Sequence, residues 1–407
     1  MAVRCSRMFT GERFSEAPAT VLVDGKKIIG VESGHVDLDE SWEVAEYANA
    51  TVIPGLIDTH VHLVADSEVG ALDRVVDLER QALDAVITEG LRRQLLAGVT
   101  TVRDLGDRNY AVVARRDQQR NGKTGQVEPT IVASGPPLTS IGGHCHYLGG
   151  EVANAAQISA AIRERADRRV DVIKAMASGG LLTPGTDVVR TQFSADDMRS
   201  IVEQAHGAGL PVTAHAHGLP AIEQSVDFGV DCIENFSCLT DKGFAFSDEL
   251  ADRIADQDIA ISGVITPPPL TDLSEAPQAI RKLVAVTGLT PLRVRELRAD
   301  MLNRLHARGV RVVTGIDAGL NPWMAHGNLH IGVALLDEAG FSPAEILAAA
   351  TSEAARVCGL AHRKGLLHEG FDADLVVVDG DPQVDLSALQ RIRLVILAGQ
   401  PAAQGNV

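Results

Sequence analysis

The strongest constraint on this chain is an alternation. Eight short β-branched runs, at 51–62, 99–106, 130–138, 170–179, 211–218, 230–237, 259–267 and 310–319, are separated by longer polar, helix-like stretches. Amphipathic segments at 153–169, 194–209 and 343–360 are the clearest helices. Ser194 followed by Asp196 and Asp197 marks a helix start, and Gly209 stops that helix before Pro211. Eight strand–helix units in about 310 residues predict an α/β fold of the (β/α)8 TIM-type barrel kind, spanning 51–361. The alternative is an open doubly wound sheet, but no G-x-G-x-x-G motif opens a first strand–helix turn. Pro267–Pro269 reads as a stiff loop after the seventh run.

The two ends differ from the middle. Residues 1–50 read as short strands, 20–24 and 27–32 around a turn at Gly25. Residues 362–407 give strands at 373–379 and 394–397, with turns at 380–382 and Gly399. Neither end can bury a core alone. Together they predict one small β-sandwich domain built from both termini.

Charge narrows the partners. Lys and Arg number 37 against 54 Asp and Glu, so 37 − 54 gives −17. That balance argues against nucleic acid and against anionic membranes, which both need clustered cations. No apolar run reaches the roughly 18–20 residues that span a bilayer. Met1 to Glu16 carries charges and no apolar core, so no signal peptide is expected. The five cysteines are scattered, odd in number and without a C-x-x-C pair, which fits reduced thiols in a cytoplasm.

In a barrel, chemistry gathers at the C-terminal ends of the strands. The first run ends Asp58-Thr59-His60-Val61-His62. Positions i and i+2 of a strand share a side, so His60 and His62 can grip one divalent metal. An isolated H-x-H is more often a pair of buried structural histidines. The fourth run places Lys174 between apolar neighbours, where a charge is costly unless paired or neutralised. The fifth ends His215-Ala216-His217, and the eighth carries Asp317 among Gly and apolar residues. Each signal alone is modest, but ligand-type residues at the ends of runs one, four, five and eight form a pattern.

The segments Pro54-Gly55-Leu56-Ile57-Asp58-Thr59-His60-Val61-His62 and Gly370-Phe371-Asp372-Ala373-Asp374-Leu375 resemble signatures of the amidohydrolase superfamily. Gly142-Gly143-His144-Cys145-His146, Ala205-His206 and Gly315-Ile316-Asp317-Ala318-Gly319 with His326-Gly327 make the chain most similar to its metal-dependent dipeptidase and carboxypeptidase branch. Members of that Xaa-Pro and Xaa-Arg/Lys branch are prolidase-like. The resemblance implies a centre with one or two divalent ions, zinc above all. His60, His62 and Asp317 would hold the more buried ion, carboxylated Lys174 would bridge, and His215 would hold the second. It also leaves room for a homo-oligomer.

One position departs from the pattern. The branch usually ends strand six in Ile-Glu-His, whereas this chain reads Ile233-Glu234-Asn235. An amide oxygen is a poorer zinc ligand than an imidazole. The second ion is then weakly held or absent unless Asn235 coordinates it. A minor branch resembling urea and carbamate hydrolases carries Asn here.

The implied reaction is hydrolysis of an amide-type C–N bond in a small molecule, a dipeptide or N-acyl amino acid with a free carboxylate. A divalent ion lowers the pKa of its water, and Asp317 serves as acid and base. The second ion, or a donor such as His217, would polarise the carbonyl. His144, in a Gly-rich loop, would face the substrate, and His326 would help shape the pocket. Arg190 and Tyr147 are candidate carboxylate anchors. Alternatives are a urea or carbamate hydrolase with one tightly bound metal, a deaminase, which Lys174 counts against, and a non-catalytic binding barrel.

Overall fold

A computed structural model describes residues 1–15, 17–262 and 278–404 of the chain. Pro267–Pro269 lies outside the described residues. The fold is a mixed α/β arrangement. One parallel sheet runs Leu56–Val61, Val99–Asp104, Thr130–Ala133. Another runs Ile173–Met176, Val212–His215, Cys232–Glu234, Ala260–Ser262. Single bridges connect them: Leu138 to Ala175, Val61 to Ala318, and Ile261 to Val312. Helices such as Arg80–Leu96, Ala155–Asp167, Ala195–Gly207 and Leu219–Phe228 follow the strands and bury one apolar side against them.

The expected helix start at Ser194 holds. Its hydroxyl accepts from the Asp197 amide, and Asp196 and Asp197 occupy the first turn, where carboxylates suit the helix dipole.

Three boundaries differ from expectation. The run 51–62 is two strands, because Val44–Pro54 pairs into another sheet before Leu56–Val61 begins. The run 310–319 is not a continuous strand. Val313 donates to Ile261, Thr314 donates to Ala349, and Ala318 donates to His60, so its backbone serves three partners in turn. The stretch 343–360 is two helices, Pro343–Ala349 and Ser352–Val357. The Ala349 and Ala350 carbonyls turn away from the helix axis to accept from Thr314 and Ile57. The neighbouring 57 and 314 segments capture them.

Gly315 shows how tightly this corner closes. A Cβ there would stand 2.8 Å from Thr59 Oγ1 and 2.9 Å from both His60 Cβ and Ser262 Oγ. Only a residue without a side chain lets the 314–318 segment press against the His60 strand.

The termini build one seven-stranded sheet rather than two separate ones. Its order is Gln400–Gln404, Ile392–Leu397, Leu375–Asp379, Val44–Pro54, Ala2–Met8, Ala19–Asp24, Lys27–Ser33. The sheet folds back on itself. Gly370 donates to Ile28, Ile28 to Phe371, and Ala373 to Lys26. Its own apolar core includes Val3, Val21, Ile28, Val52, Leu375 and Ile396. No helix among the described residues is long and apolar enough to cross a membrane.

All five cysteines are free and buried, and burial pushes the thiols of Cys5, Cys145, Cys232 and Cys358 up to about 12. Thiols in that state are poor nucleophiles. A colorimetric thiol reagent at pH 8 should label fewer than one cysteine in the folded protein and all five after denaturation. Gly315→Ala should cost about 1–3 kcal/mol of stability, read as a fall in the denaturant midpoint at unchanged slope.

Candidate metal centre

The first strand carries a bulge between Asp58 and Val61 where it pairs with its neighbour. Bulges re-aim side chains next to active sites. Here His60 and His62 both reach Asp317. Their Nε2 atoms stand 3.2 and 2.9 Å from Asp317 Oδ1. Yet Oδ1 has no in-line hydrogen bond among the described residues. The three ligand atoms lie within 4.8 Å of one another, and all three residues are buried. Close atoms that converge without hydrogen-bond alignment are arranged as ligands of one ion are arranged. Burial works against the Asp317 charge, but His60 and His62 outweigh it and hold the carboxyl well below its usual range. Asp317 itself sits in the left-handed region at φ 57°, which costs a non-glycine residue on the order of 1 kcal/mol.

Behind the histidines stands a layer the sequence reading did not single out. Glu234 Oε2 is 3.0 Å from His60 Nδ1. Its Oε1 accepts from Arg103 Nη2 at 2.7 Å and from Thr213 Oγ1 at 2.7 Å. Arg103 Nε also donates to Thr59 O at 2.8 Å. Burial opposes the Glu234 charge, and Arg103 and His60 overcome it, keeping the carboxyl well below its usual range. Glu234 thus stands as a close charged contact at the back of His60, out of line for a hydrogen bond, while Nε2 faces Asp317. Glu234 and Arg103 are charged residues inside apolar runs, the same cue that drew attention to Lys174. His62 is braced by contact: a Cβ on Gly106 would stand 2.4 Å from its Nδ1.

Lys174 lines the same chamber and is 1% exposed, and its Nζ has no hydrogen-bond partner among the described residues. Burial lowers its pKa, while Glu234 and Asp317 pull the other way. An unsatisfied buried amine of this kind costs about 1–3 kcal/mol and calls for a partner. His215 is placed at the end of its strand as expected, beside Glu234 in register. Its Nδ1 meets Asn235 Oδ1 at 2.9 Å, and Asn235 Nδ2 donates to Asp317 Oδ2 at 3.0 Å. Asn235 therefore ties His215 to Asp317, with its oxygen turned to the imidazole. Burial lowers the His215 pKa to about 3, so the ring is neutral.

His217 Nδ1 lies 2.9 Å from Ser237 Oγ. Ser237 spends its single proton on the Asn235 carbonyl at 2.7 Å. Ser237 must accept from His217, so the neutral ring carries its proton on Nδ1. Its Nε2 is then an acceptor, not the donor expected for a carbonyl. His144 Nδ1 meets the Thr183 hydroxyl at 2.7 Å, and its ring packs 4.6 Å from that of His215. Leu72, Leu181, Leu182, Leu320 and Met324 close the space above these groups, leaving about 30 Å³, room for water but not for a substrate.

Other candidates lie apart. Arg190 is exposed and pairs with Asp187 and Asp241, so it is no buried anchor. Tyr147 is the exception: it packs against Leu72, Leu320 and Met324, which roof the chamber, with its hydroxyl 3.9 Å from Cys145 Sγ. His146 binds the Gly143 carbonyl, and His206 pairs with Asp231 on the helix surface. His326 is buried against Ala65 O at 3.1 Å and does not line the chamber.

Comparison with known proteins bears on this geometry. A family model, amidohydrolase family, matches residues 51–402. Ochratoxinase from Aspergillus niger is 24% identical over 410 residues, covering 92% of this chain and 80% of the relative. The crystal structure of a Xaa-Pro dipeptidase with bound methionine aligns at TM-score 0.84 and 23% identity over 99% of each chain. That of a putative prolidase from Bifidobacterium longum aligns at TM-score 0.76 and 27% identity, covering 100% of this chain and 96% of the other. These two solved neighbours carry the names of the prolidase-like branch that the sequence signatures indicated.

Glu234→Gln should lower divalent-metal affinity by about 10–100-fold, measured by chelator competition, because His60 loses its charged partner. The same change leaves Arg103 without its buried carboxylate, so the melting temperature should fall as well.

Proposed function

This chain belongs to the amidohydrolase family, and on that premise we propose that it hydrolyses a dipeptide or an N-acyl amino acid at a metal centre. As a member it is a hydrolase of C–N bonds. The observation that carries the reading is the convergence of His60, His62 and Asp317 on one point. In this reading the bridged parallel sheets are the family's (β/α)8 barrel over 51–361, and the termini form its small β-sandwich domain. Buried free cysteines suit a cytoplasmic setting.

A divalent ion, zinc by the imidazole-rich donor set, would be held by His60, His62, Asp317 and carboxylated Lys174 and would supply Lewis acidity and an activated water. Lys174 suits that modification because its buried amine favours the neutral form that adds carbon dioxide. Asp317 takes the proton from the water and passes it to the leaving nitrogen. The water oxygen bonds to the carbonyl carbon, the C–N bond breaks, and an acid and an amine leave. His144 donates to the carbonyl oxygen through Nε2 when Thr183 donates to its Nδ1. His217 accepts an N–H of the substrate through Nε2.

Asn235 supports a second reading. Its oxygen is engaged by His215, which favours one tightly held ion and admits ureas and carbamates as substrates.

Protein produced with zinc and ¹³C-bicarbonate should hold about one tightly bound ion per chain. It should show a carbamate carbon signal that Lys174→Met removes. Asp317→Asn should cut turnover of N-acyl amino acids by about 10²–10⁴-fold. A protein that binds no divalent ion and hydrolyses no C–N substrate overturns the proposal.

A further inference from the structure

The helix Pro291–His306 turns one cation inward. Arg298 is fully buried, 0% exposed. Of the four buried arginines among the described residues, two have an anion. Arg103 has Glu234, and Arg116 has Asp117 and Asp171. Arg165 has none but donates to the carbonyls of Pro136 and Ala161. Arg298 has neither arrangement. Its one hydrogen bond runs from Nη2 to Ser237 Oγ at 2.9 Å. Nε and Nη1 have no partner among the described residues. Burial alone lowers its pKa to about 9, with no carboxylate to restore it.

A guanidinium in this state is unfavourable twice over, for the buried charge and for the unmade hydrogen bonds. Ser237 takes one of the two Nη2 hydrogens. One edge of the guanidinium, with two parallel N–H groups, is therefore free. That edge is the standard partner of a carboxylate.

The position matters as much as the chemistry. Ser237 also accepts from His217 and donates to the Asn235 carbonyl. Asn235 in turn donates to Asp317. A short chain of contacts thus runs from the unpaired guanidinium to the proposed reacting centre. The apolar wall of Leu72, Leu181, Leu182, Leu320 and Met324 belongs to loops that follow the His60 strand, the Lys174 strand and the Asp317 segment, and Leu181 clusters with Val294 of the Arg298 helix. Arg298 reaches the same groups through Ser237, just past the sixth strand.

We propose that Arg298 is the receptor for a carboxylate on the amine half of the substrate, while the apolar wall takes an aliphatic acyl half. The proposal rests on the hydrolase reading above and narrows its substrate to N-acyl amino acids and dipeptides with a free carboxylate. It replaces the exposed Arg190 in that role.

The test is equilibrium binding, which does not depend on turnover. N-acetyl-L-leucine and N-acetyl-L-leucinamide differ only in the carboxylate. Calorimetry on the metal-loaded protein should show the acid binding at least tenfold tighter than the amide. Arg298→Met should erase that preference while leaving the amide's affinity within about threefold, and Arg298→Lys should keep part of it. The melting temperature of Arg298→Met should equal or exceed that of the parent, since an apolar side chain replaces an unpaired buried charge. Equal binding of acid and amide by the parent overturns the proposal. So does a preference that survives Arg298→Met, or a variant that melts well below the parent, which would make Arg298 a scaffold for Ser237. If the acid preference depends on Arg298 but neither compound nor any other C–N substrate is hydrolysed, the receptor stands and the hydrolase reading falls.

Discussion

The Glu234 carboxylate is the interaction on which the rest of the site depends. It lies at the end of the sixth parallel strand and meets groups from three others: Arg103, Thr213 and His60. A buried ion pair of this kind contributes little net stability, because desolvation offsets the attraction. What it supplies is registry. An Arg103 charge inside the sheet interior demands an anion, and only one alignment of the strands places Glu234 there. The same alignment brings His215, Glu234 and Ser262 level in neighbouring strands. The polar floor beneath the metal ligands is therefore also the element that sets where those ligands stand.

Above that floor the site is built on strained backbone. Asn235 and Asp317 both adopt left-handed conformations, at φ 63° and 57°. Each costs a non-glycine residue on the order of 1 kcal/mol, and each is over-determined by its surroundings. Gly315 lets the Asp317 segment close on the His60 strand, and the Asn235 amide donates to Asp317. The two strained residues hold one another through a 3.0 Å hydrogen bond. A histidine at position 235 could ligate a second ion, but it has no amide with which to join His215 to Asp317. The departure at strand six thus exchanges a ligand for a brace.

Much of this was legible in the sequence, and the reason is periodicity. The parallel strands, the helix at Ser194 and the clustering of His60, His62, Lys174, His215 and Asp317 follow from local pattern. Patterns fail where a residue answers to a distant partner. The 313–318 segment looks like a strand but divides its backbone among Ile261, Ala349 and His60. The stretch 343–360 has helical periodicity throughout, yet Thr314 and Ile57 draw off its carbonyls at 349–350. Arg190 resembled a carboxylate anchor by type alone, and Arg298, inside a helix full of arginines, gave no signal. Whether an arginine is paired is a tertiary fact.

The separation of charge and apolar surface in this site has a physical consequence. The floor concentrates Lys174, Glu234, Arg103 and Asp317, and the roof is leucine and methionine. A roof that excludes water raises the strength of every electrostatic interaction beneath it. It also makes each unpaired charge more costly, so the groups left unpaired under it are the informative ones. Lys174 and Arg298 are two such cations, on different elements, neither with a carboxylate inside hydrogen-bonding reach. For Lys174 the missing anionic character can be added covalently, as a carbamate on its own nitrogen. Arg298 cannot be neutralised in that way, because its delocalised guanidinium offers no nucleophilic amine to carry a carbamate. No carboxylate among the described residues meets it, and in the proposed reading its anion comes from the substrate. The two cations therefore take different duties, Lys174 in the chamber toward the ion and Arg298 behind Ser237 toward what the ion acts on.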